Sequence, residues 1–135
     1  MFVAAASLDF IAALLHLACI IGGPAWYRFF GAGEALATMA ERGSWWPGIM
    51  TAMIAAVLAG WGLYFLSLGE VIPELPWLAT LSIVITGIYA IRGVYPFLLS
   101  PWVAFFRTRF MIVTSLVCIG FAVVHALALQ QAGVV

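Results

Sequence analysis

Long apolar runs alternate along this chain with short stretches holding glycine, proline and most of the charge. Four of the runs reach the length of about 20 residues that an α-helix needs to cross a hydrocarbon core of roughly 30 Å. They predict membrane spans from about Ser7 to Tyr27, Trp45 to Leu68, Trp77 to Leu98 and Phe110 to Leu129. The punctuation between them fits turns and helix ends. Gly31, Gly33 and Gly43-Ser44 bracket the first connection, Gly69, Pro73 and Pro76 mark the second, and Ser100-Pro101 opens the third.

Composition narrows the class. Apolar residues make up 67% of the 135 positions and charged residues only 7%, whereas a soluble domain carries about a quarter charged residues. That excludes a soluble enzyme and a disordered tail. With five basic residues balanced by five acids, there is no basic patch for nucleic acid either. The expected fold is all-α: an integral membrane four-helix bundle, folded as one domain because four spans use up the chain. The first span is expected to be retained, since a signal peptide needs a basic stretch ahead of its apolar run and the first arginine here is Arg28.

All five basic residues are arginines. They lie in or beside the first and third connections, as Arg28, Arg42, Arg92, Arg107 and Arg109. Basic residues favour the cytoplasmic side. The expected topology therefore has the first and third connections in the cytoplasm and both termini outside, in the periplasm if the membrane is a bacterial inner membrane. Trp26, Tyr27, Trp45, Trp46, Trp77 and Trp102 fall at span ends, as an aromatic belt requires, while Trp61 lies inside a span. Between Gly33 and Gly43, Leu36, Met39 and Ala40 share one helical face. That segment reads as a helical loop packed on the bundle floor, or otherwise as an interfacial helix.

Helices in lipid associate through small residues that allow close approach. Four-residue spacings of such residues recur at Ala52, Ala56 and Gly60, at Ser82, Thr86 and Ala90, and at Thr114, Cys118, Ala122 and Ala126. Each set is expected to face inward. Gly22-Gly23-Pro24 reads as a helix end, or as a break lining a cavity. A faint echo between Pro24–Phe30 and Pro101–Arg107 admits an internal duplication.

Ionisable groups within spans are costly and mark functional candidates. Asp9 and His16, two turns apart, share a face. His125 shares a face with Thr114 and Cys118 in the last span. Counted from the span ends, Asp9, His16 and His125 fall in the outer half, as a ligand-binding or proton-relay site. In that reading Asp9 fixes a histidine tautomer. A second reading makes His16 and His125 the axial ligands of a b-type haem in an electron-transfer protein. A third, a metal site with Cys19 and Cys118, is disfavoured because Cys118 and His125 are about 10 Å apart along one helix. In the plain structural reading each histidine bonds a carbonyl or serine and locks helix register. Cys19 and Cys118 read as small apolar filler.

On the cytoplasmic side Arg28, Glu34 and Arg92 form a candidate polar cluster. Arg92 is expected to snorkel to the interface or to pair with Glu34 or Glu41. Its alternative is an anion or lipid-headgroup contact shared with Arg28, Arg107 and Arg109. Tyr89 and Tyr95 read as interfacial anchors. No nucleotide loop, zinc-protease motif or nucleophile elbow is present, so a membrane-embedded enzyme ranks last. The expected role is a small protein that binds or transports a ligand or lipid, or an accessory subunit of a membrane complex. Its partners are the bilayer and further copies or subunits, not nucleic acid, and no resident cofactor is expected outside the haem alternative.

Overall fold

The computed structural model describes residues 1–29 and 34–135. Within them the chain is all-α: α1 (Phe2–Gly22), α2 (Pro24–Phe29), α3 (Glu34–Glu41), α4 (Trp46–Leu68), α5 (Leu78–Leu99) and α6 (Arg109–Gln131), with a single 3-10 turn at Ala104–Arg107. Helices α1, α4, α5 and α6 are long and apolar enough to cross a membrane, the make-up of a four-helix membrane protein. Only 22–28% of each such stretch is buried. Most of their Leu, Ile, Val and Phe side chains therefore face outward, where lipid and not water must solvate them.

Three of the four expected spans match α4, α5 and α6 to within two residues. The first does not. Helix α1 begins at Phe2, ahead of the expected start at Ser7, and ends at Gly22 rather than running on to Tyr27. The reason is local. Gly23 takes a left-handed conformation at φ 72°, which suits glycine at a helix end, and Pro24 then opens α2 with the fixed φ that a first helical residue requires. The Trp26 ring lies against Gly22 so closely that a Cβ there would fall 2.0 Å from the indole. The Gly-Gly-Pro segment is thus a helix end followed by a short new helix.

The chain divides into two compact units, residues 9–60 and residues 1–8 with 61–135. In the first, α2 packs against α3. Tyr27, buried, brings its hydroxyl to 3.5 Å from Thr51 Oγ1, and Thr51 in turn donates to the Pro47 carbonyl at 2.7 Å. Ala37 of α3 is completely buried, so this segment is a packed helix and not one lying loose at an interface.

In the second unit α5 and α6 form the principal contact. At their crossing Gly93 sits where a Cβ would be 2.9 Å from the Ile119 amide nitrogen and 3.0 Å from the Ser115 carbonyl oxygen. The backbones meet there without side chains between them. Thr108 caps α6 by accepting the Met111 amide at 3.3 Å, which sets the helix start at Arg109. The α4–α5 connection is braced by Ser67, which donates to the Pro73 carbonyl and accepts the Leu75 amide, both at 3.0 Å.

The buried positions do not keep a strict four-residue spacing but mostly mix steps of three and four. In α4 they are Pro47, Thr51, Ala55, Leu58, Gly62, Phe65 and Ser67, while Ala52 and Ala56 are exposed. In α5 they are Ser82, Ile85, Tyr89, Gly93 and Pro96. In α6 they include Met111, Ser115, Ala122, His125 and Leu129, with Ala126 exposed. Four residues turn a helix about 40° past a full circle, so a strict four-residue stripe drifts off its face. Alternating steps of three and four stay on a seam, as in left-handed helix packing.

Candidate functional site

Asp9 and His16 do share a face of α1. Asp9 is completely buried, Ala13 one turn on is buried, and His16 is half-buried. Because α1 starts at Phe2, Asp9 lies about 10 Å inside it. His16 lies only about 9 Å from the Gly22 end. That places His16 in the half of its own helix toward the first connection. A span counted from Ser7 puts His16 in the opposite half, because the helix itself begins five residues earlier.

His125 is completely buried in α6. Its ring meets Phe65 edge-on with centroids 4.4 Å apart, Tyr89 at 4.9 Å and Phe121 at 6.3 Å. Tyr89 in turn stands edge-on to Trp61 and to Phe121, each at 5.3 Å. Tyr89 is therefore part of this aromatic box and not an interfacial anchor, and Trp61, the tryptophan out of place in the belt, is its outer wall. The histidines of the two units are held alike. Nδ1 of His125 lies 2.7 Å from the Phe121 carbonyl oxygen and Nδ1 of His16 lies 2.7 Å from that of Ala12. A carbonyl only accepts, so in each neutral ring Nδ1 carries the proton and Nε2 holds the lone pair.

Among the described residues Arg92 forms no ion pair, and the atoms around it are uncharged. Its guanidinium donates to Ser115 Oγ and Thr114 Oγ1, each at 3.3 Å. It also reaches Met111 Sδ at 4.0 Å and lies 5.9 Å from the Tyr95 ring centroid. The neighbouring Gly93 backbone is level with Ser115 and Ile119, so the side chain runs from there toward the α6 N-terminus. Its direction is that of snorkelling, but two hydroxyls stop it inside the helix pair.

The acid that was expected to serve Arg92 serves Arg28 instead: Arg28 and Glu41 form an ion pair between α2 and α3. The Glu34 side chain lies outside the described residues. The hydrogen bond from Arg28, aided by its charge, holds the Glu41 carboxyl below the usual glutamate range despite a slight loss of hydration. A carboxyl with a lowered folded-state pKa stabilises the fold above its unfolded value, about 4.3, and that stabilisation is lost as the pH falls through the folded value. Both groups are exposed, so the effect is small. Amide hydrogen exchange of α2–α3, corrected for intrinsic rates, is expected to quicken on going from neutral pH to below that range. Glu41→Gln removes this pH dependence.

Cys19 and Cys118 are free thiols. Among the described residues no group of three or more His, Cys, Asp or Glu side chains converges in a way that would hold a metal ion. A surface depression of about 480 Å³ lies in the α4–α5 connection, lined by Ser67, Glu70 and Glu74 among others, and none of the candidate residues borders it. No family model, curated protein or solved structure matches the chain. Its function therefore has to be argued from these side chains.

Proposed function

We propose that this chain is a multi-pass protein of a bacterial inner membrane, with both termini outside, and that its buried His125 is a proton-accepting site in a transport or accessory subunit. The observation that carries this reading is the enclosure of His125. A titratable ring inside a span is costly and marks function. Here its Nδ1 is held by the Phe121 carbonyl, and the Phe65 and Tyr89 rings, at 4.4 and 4.9 Å, pack directly on the imidazole and leave no room for a bulky ligand on those sides. A proton is the ligand that such packing accommodates. Binding of a larger ligand or lipid, the wider expectation, finds no support at His125 itself.

The surroundings agree. The α5–α6 seam carries polar groups at successive levels. Ser82, buried, has a hydroxyl with no hydrogen-bond partner among the described residues. Tyr89 and His125 follow, then Arg92 with Ser115 and Thr114. An arginine in a narrow path repels protons, so the seam is not an open proton wire and His125 is a site of uptake and release. One copy with so little of each span buried offers little room for a pathway, which favours action as an oligomer or within a larger complex. Asp9 and His16 add two further polar groups, two turns apart on one face of α1.

Nitrogen-15 NMR of the histidine rings in the full chain tests the reading, with His16→Ala used for assignment. The expected result is an Nδ1–H tautomer at alkaline pH that converts to the doubly protonated ring as the pH falls, within the range where the protein stays folded. A ring that never changes protonation over that range overturns the proposal.

A further inference from the structure

Arg92 holds a full positive charge within a span, and the atoms around it carry none. Two hydroxyls, a thioether and the Tyr95 ring surround it, and among the described residues no carboxylate lies within ion-pair distance. Hydroxyls and sulfur accept hydrogen bonds but leave the charge uncompensated, and a guanidinium in a low-dielectric setting calls for a counter-charge. Its own unit does not supply one at this end. The acids there, Glu70 and Glu74, lie in the α4–α5 connection, whereas Arg107 and Arg109 lie at the other end of α5 and α6.

The guanidinium is level with Met111 to Ser115, about 3–9 Å inside the start of α6. That depth is within reach of the headgroup region. Arg107, bonded to the Ser100 carbonyl, and Arg109 are exposed above it. Pro96, one turn beyond Arg92, has no amide proton, so the Arg92 carbonyl lacks its usual helix partner. The level thus offers guanidinium donors and a carbonyl acceptor together.

We propose that Arg92, with Arg107 and Arg109 at the rim, binds the phosphate of an anionic species at this end of α5 and α6. The planar fork of arginine matches two phosphate oxygens at once. Phosphate reaches this level from two sources: the headgroup of an acidic phospholipid, or inorganic phosphate from the adjoining aqueous phase.

Native mass spectrometry of the full chain, delipidated in detergent and offered equal amounts of dioleoyl-phosphatidylglycerol and dioleoyl-phosphatidylcholine, separates the outcomes. A preference for phosphatidylglycerol is expected, with roughly fivefold contributed by each arginine. Arg92→Gln, checked for helix content and monodispersity, is expected to lose about that factor, and Arg107→Gln with Arg109→Gln to lose the remainder. Lipid adducts that survive millimolar inorganic phosphate identify the headgroup as the source. Adducts displaced by it, and by no equal concentration of chloride, identify the soluble anion. Equal retention of the two lipids by the wild-type chain, with no displacement by phosphate, overturns the proposal, as does an unchanged preference in Arg92→Gln. If Arg92→Gln does not fold, Arg92→Lys decides, because lysine keeps the charge and lacks the fork. A partial loss of preference then supports the site and an unchanged preference overturns it.

Discussion

Replacing Gly93 by alanine is expected to destabilise the α5–α6 pair by about 1–3 kcal/mol, the range for overpacking a close contact, and replacing it by valine to separate the helices. The first atom an added Cβ meets is Ile119 Cγ1 at 2.6 Å, which is a side chain and can turn away. The next two are backbone: the Ile119 nitrogen at 2.9 Å and the Ser115 oxygen at 3.0 Å. Backbone atoms of a rigid helix do not yield singly, so the whole of α6 must move. In lipid this matters more than in water, because helix association rests on close packing and not on hydrophobic exclusion. The same movement would draw Ser115 and Thr114 away from Arg92. Thermal or SDS unfolding curves of Gly93→Ala and Gly93→Val against wild type measure the effect. A Gly93→Val protein as stable as wild type would mean that the helices do not meet at this point.

The second large effect is expected from Phe65→Ala. Phe65 is completely buried with its ring on the His125 imidazole. Removing the ring vacates roughly 100 Å³, and at about 24 cal/mol per Å³ of unfilled cavity the loss is ~2.4 kcal/mol. The water-to-oil transfer contribution that raises such values in soluble proteins is small between helices in a membrane, so the estimate rests on the cavity alone. Phe65→Leu, which fills part of the space, is expected to recover more than half of the loss. The vacancy also borders a polar ring and is large enough for water. The NMR signals of His125 in Phe65→Ala are therefore expected to show a mixture of tautomers where wild type shows one. A stability change without any change at His125 would separate the packing role of Phe65 from its role in the histidine's surroundings.

The two effects fall on residues of unequal visibility in the sequence. His125 stands out there because an ionisable residue inside an apolar run is rare. Asp9 and His16 stand out for the same reason, and their shared face follows from helical periodicity alone. Phe65, Tyr89 and Phe121 do not stand out, since aromatic residues are common both on lipid-facing surfaces and in helix contacts. By its sequence position Tyr89 reads as a belt residue, and only the folded contacts place Trp61, Phe121 and His125 around it. Ser115 falls outside the four-residue stripe that begins at its neighbour Thr114, yet both hold Arg92. The spacing of buried positions, alternating three and four, was the available signal, and strict four-residue stripes obscured it.

The division has a physical basis. Where the spans lie, that they are helices and where they stop are local matters: hydropathy must match bilayer thickness, every backbone group must be bonded within the segment, and Gly, Pro and Thr mark the ends. These were legible from residue order, apart from the start and end of α1, where a glycine pair and a proline divide one apolar run into two helices. Which face of each helix packs is not local. An apolar side chain is as well solvated by lipid as by a neighbouring helix, so hydropathy leaves the faces nearly indistinguishable. Only the folded contacts reveal the seam, the box around His125 and the hydroxyls that hold Arg92.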